Sequence, residues 1–271
     1  MTVPLGSLPE TLADAACEVL REPTPADKVS LTRRYAEAWA DGSLSNVGEA
    51  RPPDRPNRPP HPELRPPRDM PKRNPGGSTG RLAFVHAIAH IELNAIHLAW
   101  DIVARFTHEH MPRPFFDDWV KVALDEAEHF DLLNRRLEDL GAAYGDYPAH
   151  DGLWEAAETT ADDLLARLAL VPMVLEARGL DTTPVAVQRL RAGGDETTAD
   201  ILELIGNEEI PHVEAGVRWF RFLCERRGID PVETFHALTS RNFKGRLKPP
   251  FNAEARTQAG FGAEYYQPLS E

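Results

Sequence analysis

Cysteine is scarce in this chain of 271 residues: Cys17 and Cys224 are the only two. Their wide separation excludes a disulfide framework and any C-x-x-C zinc ribbon, and leaves two ordinary thiols, buried or partly buried. Residues Met1 to Leu20 lack a basic leader segment and carry Glu10, Asp14 and Glu18 where a signal peptide needs an apolar core. No run approaches the ~20 apolar residues of a membrane span, because Glu92 and Asp101 interrupt the best candidate. No stretch alternates apolar and polar residues between hairpin turns, and no flavin, nicotinamide or phosphate-binding loop is present. The expectation is a soluble, cytoplasmic protein with no membrane partner, built as one large domain with appendages or as two small ones.

What is present is unevenly placed. The chain has 30 basic and 43 acidic side chains, a net charge of −13, yet a hydrophobic content of 42% that a disordered acidic chain would not carry. Residues 51–81 hold eight basic and three acidic side chains and ten of the 24 prolines, whereas residues 82–240 hold thirteen basic and twenty-nine acidic ones. The proline density excludes a helix interior and favours extended or polyproline II backbone, so this segment is an arm. It either lies along the acidic surface by charge attraction or acts as a flexible linker.

Helix-period apolar residues mark Pro9 to Arg21 and Pro25 to Ala40, and then four long stretches: Gly80–Thr107, Pro114–Leu140, Leu153–Leu180 and Asp195–Arg227. Gly141 and Gly228 occupy C-terminal cap positions. The fold class expected is all-α: a four-helix bundle over residues 81–240, with an N-terminal helical segment (1–50), the proline-rich arm (51–80) and an irregular tail (241–271) packed on the bundle.

Each long stretch interrupts its apolar stripe with one glutamate. The first runs Val85, Ile88, Ala89, Glu92, Ala95, Ile96, Ala99; the second runs Trp119, Val122, Glu126, His129, Phe130, Leu133. The third runs Leu165, Ala169, Met173, Glu176, Leu180, and the fourth Leu202, Ile205, Glu209, His212, Gly216, Phe220. The pattern reads as two copies of a helix pair, Glu on one member and Glu-x-x-His on the next. Residues i and i+3 point from the same side of a helix, so Glu126 with His129, and Glu209 with His212, each form a two-toothed ligand set. Four ionised glutamates in an apolar core are untenable alone, since each carries several kcal/mol of desolvation penalty. Two divalent cations would neutralise them, and mixed carboxylate and imidazole ligation suits iron or manganese, alone or mixed.

With the segments HAIAHIELNAIHLAWD (His86–Asp101), DEAEHF (Asp125–Phe130), LEARGLD (Leu175–Asp181), NEEIPHV (Asn207–Val213), and LKPPFNAEAR with AGF in the tail (Leu247–Phe261), the chain resembles the ferritin-like dimetal carboxylate superfamily. More narrowly it resembles the ferritin-like family DUF455, distantly similar to tRNA hydroxylases of the MiaE type. The resemblance implies Glu92, Glu126, His129, Glu176, Glu209 and His212 as ligands of two metal ions, iron first, with no flavin, NAD or haem.

His86, His90, His97 and Asp101 make a second stripe, read either as groups hydrogen-bonded to metal ligands or as a separate metal site. Pro172 and Pro211 inside the third and fourth stretches imply kinks that widen the pocket, or a shorter helix. Arm and tail are candidates for closing over the bundle, with Asn252 and Arg256 as polar groups facing a substrate. The expected activity is dioxygen activation to hydroxylate or oxidise a small organic substrate, with an external electron donor. Alternatives are a non-catalytic or iron-storing bundle, and a hydroxylase of a modified tRNA base reached through Arg65, Arg68 and Arg73. Nucleic acid ranks low as a partner because the bundle repels phosphate; a homodimer is compatible with the pattern.

Overall fold

A computed structural model describes residues 7–70 and 78–270. Arg73 and the arm's last prolines, Pro71 and Pro75, lie outside the described residues, as do 1–6 and 271. Among the described residues the protein is all-α, with no strand and one isolated bridge, Leu64 to Ala149. The chain divides into two compact units, Met1–Trp154 and Glu155–Glu271.

In the first unit α1 (Leu12–Arg21) starts at Thr11, whose side chain accepts the Asp14 N–H. Helix α2 (Pro25–Asp41) has proline in its first turn and ends at Gly42 in the left-handed region. The two long helices, α3 (Ser78–Arg105) and α4 (Arg113–Asp139), are joined by a short connection, so they run antiparallel. Helix α1 packs on α3 and α2 on α4. The second contact is fixed by Trp39 Nε1 donating to Asp117 at 2.8 Å and by the Arg113 guanidinium 4.1 Å above the Trp39 ring. The arm is tied down: Arg58 donates to Asn94 Oδ1 (2.7 Å) and pairs with Asp151 (2.7 Å), and Arg105 donates to the Pro53 carbonyl (3.1 Å).

Over Gly80–Arg105 the first long helix is, after all, long and apolar enough to cross a membrane, because its two carboxylates are tolerated in a run so rich in alanine and isoleucine. Its most apolar window is 78% buried inside the protein, as in a core helix.

The third long stretch differs from expectation. Helix α5 (Gly152–Thr159) stops, and α6 (Leu164–Leu170) restarts at Asp163, an extended residue whose carboxylate accepts the Leu165 and Ala166 N–H groups. The buried Arg167 guanidinium bridges the break, donating to Thr160 Oγ1 (2.8 Å) and the Ala157 carbonyl (2.7 Å). The chain then passes through a π-turn, Val171–Glu176, and continues as α7 (Ala177–Ala192), well beyond Leu180. Pro172 lies in the π-turn, where the missing N–H disturbs the α ladder; Pro211 sits inside α8 (Glu196–Arg227) without ending it.

Helix α8 ends at Gly228 (φ 64°) and is followed by α9 (Pro231–Asn242). The tail, expected to be irregular, carries two short helices, α10 (Ala253–Gln258), capped by Asn252, and α11 (Ala263–Tyr266). Phe235 on α9 holds them by edge-on contacts to Phe261 and Tyr265, both at 5.6 Å.

Candidate metal centre

The apolar stripes of α3 and α4 bring Glu92, Glu126 and His129 together in the core of the first unit, all buried. Each offers one ligand atom, and these atoms lie within 4.8 Å of one another. His129 Nδ1 stands 3.5 Å from Glu126 Oε2 and 3.8 Å from Glu92 Oε2. Burial alone would lower the pKa of the imidazole, but hydrogen bonding and charge from Glu126 and Glu92 raise it to about 11. The carboxylates thus make this point in the core favourable for positive charge.

Whether a metal fits follows from donor type and reach. A cation with bonds of about 2.0–2.2 Å has ligand atoms at most about 4.4 Å apart, so the group closes on a metal with shifts of a few tenths of an ångström. Two carboxylates and an imidazole suit iron, manganese or zinc and fall short of the all-oxygen shell of calcium. This group of buried Glu and His can hold a metal ion.

The second unit holds the remaining candidates. On α8, Glu209 and His212 are buried, with His212 Nδ1 3.6 Å from Glu209 Oε2. Glu176 is half-buried and closes the π-turn. The turn is pinned from α8: Gly216, one turn beyond His212, lies so close to Pro172 that a Cβ there would stand 2.5 Å from the proline ring.

The second stripe of α3 is occupied largely in holding loops of the first unit. His86 Nε2 accepts the Gly145 N–H at 2.9 Å, and His90 stands 2.7 Å from Tyr144 OH and 3.2 Å from the His150 carbonyl. Asp101 is paired with Arg105 in the next turn at 2.7 Å. His97 is buried with no hydrogen-bond partner for either ring nitrogen among the described residues, and burial and the nearby Lys28 keep it neutral. In the tail, Asn252 and Arg256 both bond to Asp181 of α7. Asp181 was not singled out from sequence, since nothing local distinguishes it from a solvated helix carboxylate. A cleft of about 530 Å³ opens between α7, α8 and α10, with Leu180, Val187 and Ile210 on its floor and Gln188, Asn207 and Gln258 at its rim.

Fold and site together define an all-α protein carrying a buried group of Glu and His able to bind a metal ion. The chain belongs to the family described as "Protein of unknown function (DUF455)", whose profile matches residues 21–267. A relative in Haemophilus influenzae (strain ATCC 51907 / DSM 11121 / KW20 / Rd), described as "Uncharacterized protein", is 43% identical over 208 residues, covering 75% of this chain and 72% of the relative. No solved structure matches the chain.

Proposed function

We propose that this chain is a ferritin-like dimetal carboxylate oxidoreductase. In this reading Glu92, Glu126 and His129 form one ligand set, Glu176, Glu209 and His212 the other, and both act on a single pair of metal ions, iron first and manganese second. The observation that carries the reading is the buried Glu92, Glu126, His129 group, together with its echo in the spacing and burial of Glu209 and His212. Two ferrous ions held there would supply the electrons for reducing dioxygen, which is the chemistry this donor set supports.

The protein's own residues set the conditions. Four glutamates balance the charge of two divalent ions, and the two imidazoles keep the set neutral overall. Ile96, Phe130, Met173 and Phe220, all buried, are the apolar residues that in this reading keep water from the ligands. The cleft lined by α7, α8 and α10 has a volume suited to a small organic substrate, with an apolar floor for its body and amide side chains at the rim for its polar groups. In this reading an external donor supplies further electrons, and the protein works in the cytoplasm.

The test is to load the full chain anaerobically with Fe(II) and mix it with oxygenated buffer in a stopped-flow spectrometer. A transient absorbance that depends on oxygen, and is lost in Glu126→Ala and Glu209→Ala, supports the reading. Iron that binds and never reacts with oxygen transfers the weight to a structural or storage bundle.

A further inference from the structure

The tail grips one turn of helix, and it is the turn that follows Glu176. Arg256 donates from Nε to Asp181 Oδ1 at 2.9 Å and from Nη2 to Asp181 Oδ2 at 2.7 Å, a two-pronged pair. The same Nη2 reaches the Ala177 carbonyl at 3.3 Å. Asn252 donates its backbone N–H to Asp181 Oδ1 (2.9 Å) and its side-chain amide to the Leu180 carbonyl (3.2 Å), and Arg178 donates to the Lys248 carbonyl (2.6 Å). Arg256 and Asp181 are buried, and the guanidinium lies 4.5 Å from the ring centre of Tyr266 and 5.0 Å from that of Phe251.

A buried ion pair is a poor way to hold a tail down if holding is all that is required, because apolar side chains of similar volume do as well. What the pair adds is a fixed orientation, through two parallel bonds and a third to the backbone. The orientation matters at this position because α7 emerges from a π-turn, which carries one residue more than an α turn. Were the π-turn to relax, its end and the helix beyond it would turn by about 100°, one residue's worth, and Glu176 would leave its face. The upstream end of the turn is held by the contact of Pro172 with Gly216. The downstream end is held by Arg256.

We infer that Asp181 and Arg256 are positioning residues for Glu176, so that the C-terminal tail is part of the metal-binding apparatus; this rests on Glu176 being a metal ligand. Arg256 acts on the carboxylate through the register of the turn, not by contact with the metal.

Cobalt(II) is the probe, titrated into the full-length chain with visible absorption and calorimetry as readouts. Wild type is expected to take two ions, and Glu176→Gln to bind one of them at least tenfold more weakly with an altered band. Arg256→Lys, which keeps the charge but cannot make the two-pronged pair, is expected to reproduce that loss with the helical circular dichroism retained. In the Glu176→Gln background Arg256→Lys is expected to change cobalt binding no further, because its effect runs through Glu176. Wild-type binding in Arg256→Lys, or an equal further loss in the double variant, overturns the inference; Leu223→Ala, three turns along α8 from His212, controls for general destabilisation. If wild type binds no cobalt, or Glu176→Gln is without effect, the ligand assignment itself fails, which is a separable result.

Discussion

Pro172 and Gly216 meet across α8 and the π-turn at a distance no larger side chain could share: a Cβ on Gly216 would lie 2.5 Å from both Cβ and Cγ of the proline. Glycine is required there by space, its helical backbone being open to any residue. Gly216→Ala forces α8 and the π-turn apart, at a cost of about 1–3 kcal/mol as for other overpacked cores. Urea denaturation followed by circular dichroism checks the loss. An unchanged midpoint would mean that the contact relaxes without strain.

The link between His90 and Tyr144 is structural in the same sense. The His150 carbonyl can only accept, so His90 Nε2 carries the proton and Nδ1 accepts from the phenol. Burial, and then the Arg58 charge, lower the pKa of His90 to about 3, which keeps the ring neutral. Tyr144→Phe leaves a buried acceptor unmet and is expected to destabilise the chain by about 1–3 kcal/mol while metal content per chain stays at the wild-type value. Loss of metal in this variant would instead tie the second stripe of α3 to the ligands.

Lys28 yields a prediction with a definite sign. Its side chain is buried and donates to the Val19 carbonyl at 2.6 Å, and burial lowers its pKa from 10.5 to about 7. Between those values the unfolded chain holds a proton that the folded chain has released, so this group's contribution to stability rises with pH above 7 and levels off beyond 10.5. The slope is bounded at about 1.4 kcal/mol per pH unit for one proton. Unfolding free energies of wild type and Lys28→Met measured from pH 7 to 9 are expected to diverge in favour of wild type as pH rises. Parallel curves would place the lysine charged in the core.

The parts of the fold and site that could be read in the chain are those governed by local period. The stripes that put Glu92, Glu126, His129, Glu209 and His212 inside were visible because each glutamate or histidine fell at a helical spacing from large apolar residues, and all five are buried. Gly141 and Gly228 marked helix ends because a left-handed residue there has few substitutes. The break before α6 was missed because the apolar period continues across it, and only the Asp163 cap and the buried Arg167 interrupt the helix. The π-turn leaves no clearer sign than Pro172. The pairing of Arg256 with Asp181 joins residues 75 apart, and nothing in either neighbourhood specifies the other. Lys28 was hidden for a related reason: a lone lysine at the edge of an apolar stripe reads as one reaching solvent along its stem, whereas here a backbone carbonyl accepts from its buried amino group.

The proposal that both ligand sets hold one pair of metal ions stands or falls on metal stoichiometry read together with spectroscopy. Cobalt(II) bound per full-length chain would be measured in wild type, Glu126→Ala and Glu209→Ala, with the visible spectrum and magnetic coupling of the bound ions recorded in each. Two coupled ions are expected in wild type, and in either variant a fall in stoichiometry with a changed spectrum for the ion that remains. Two uncoupled ions, each lost only with its own set and leaving the other's spectrum untouched, would contradict it.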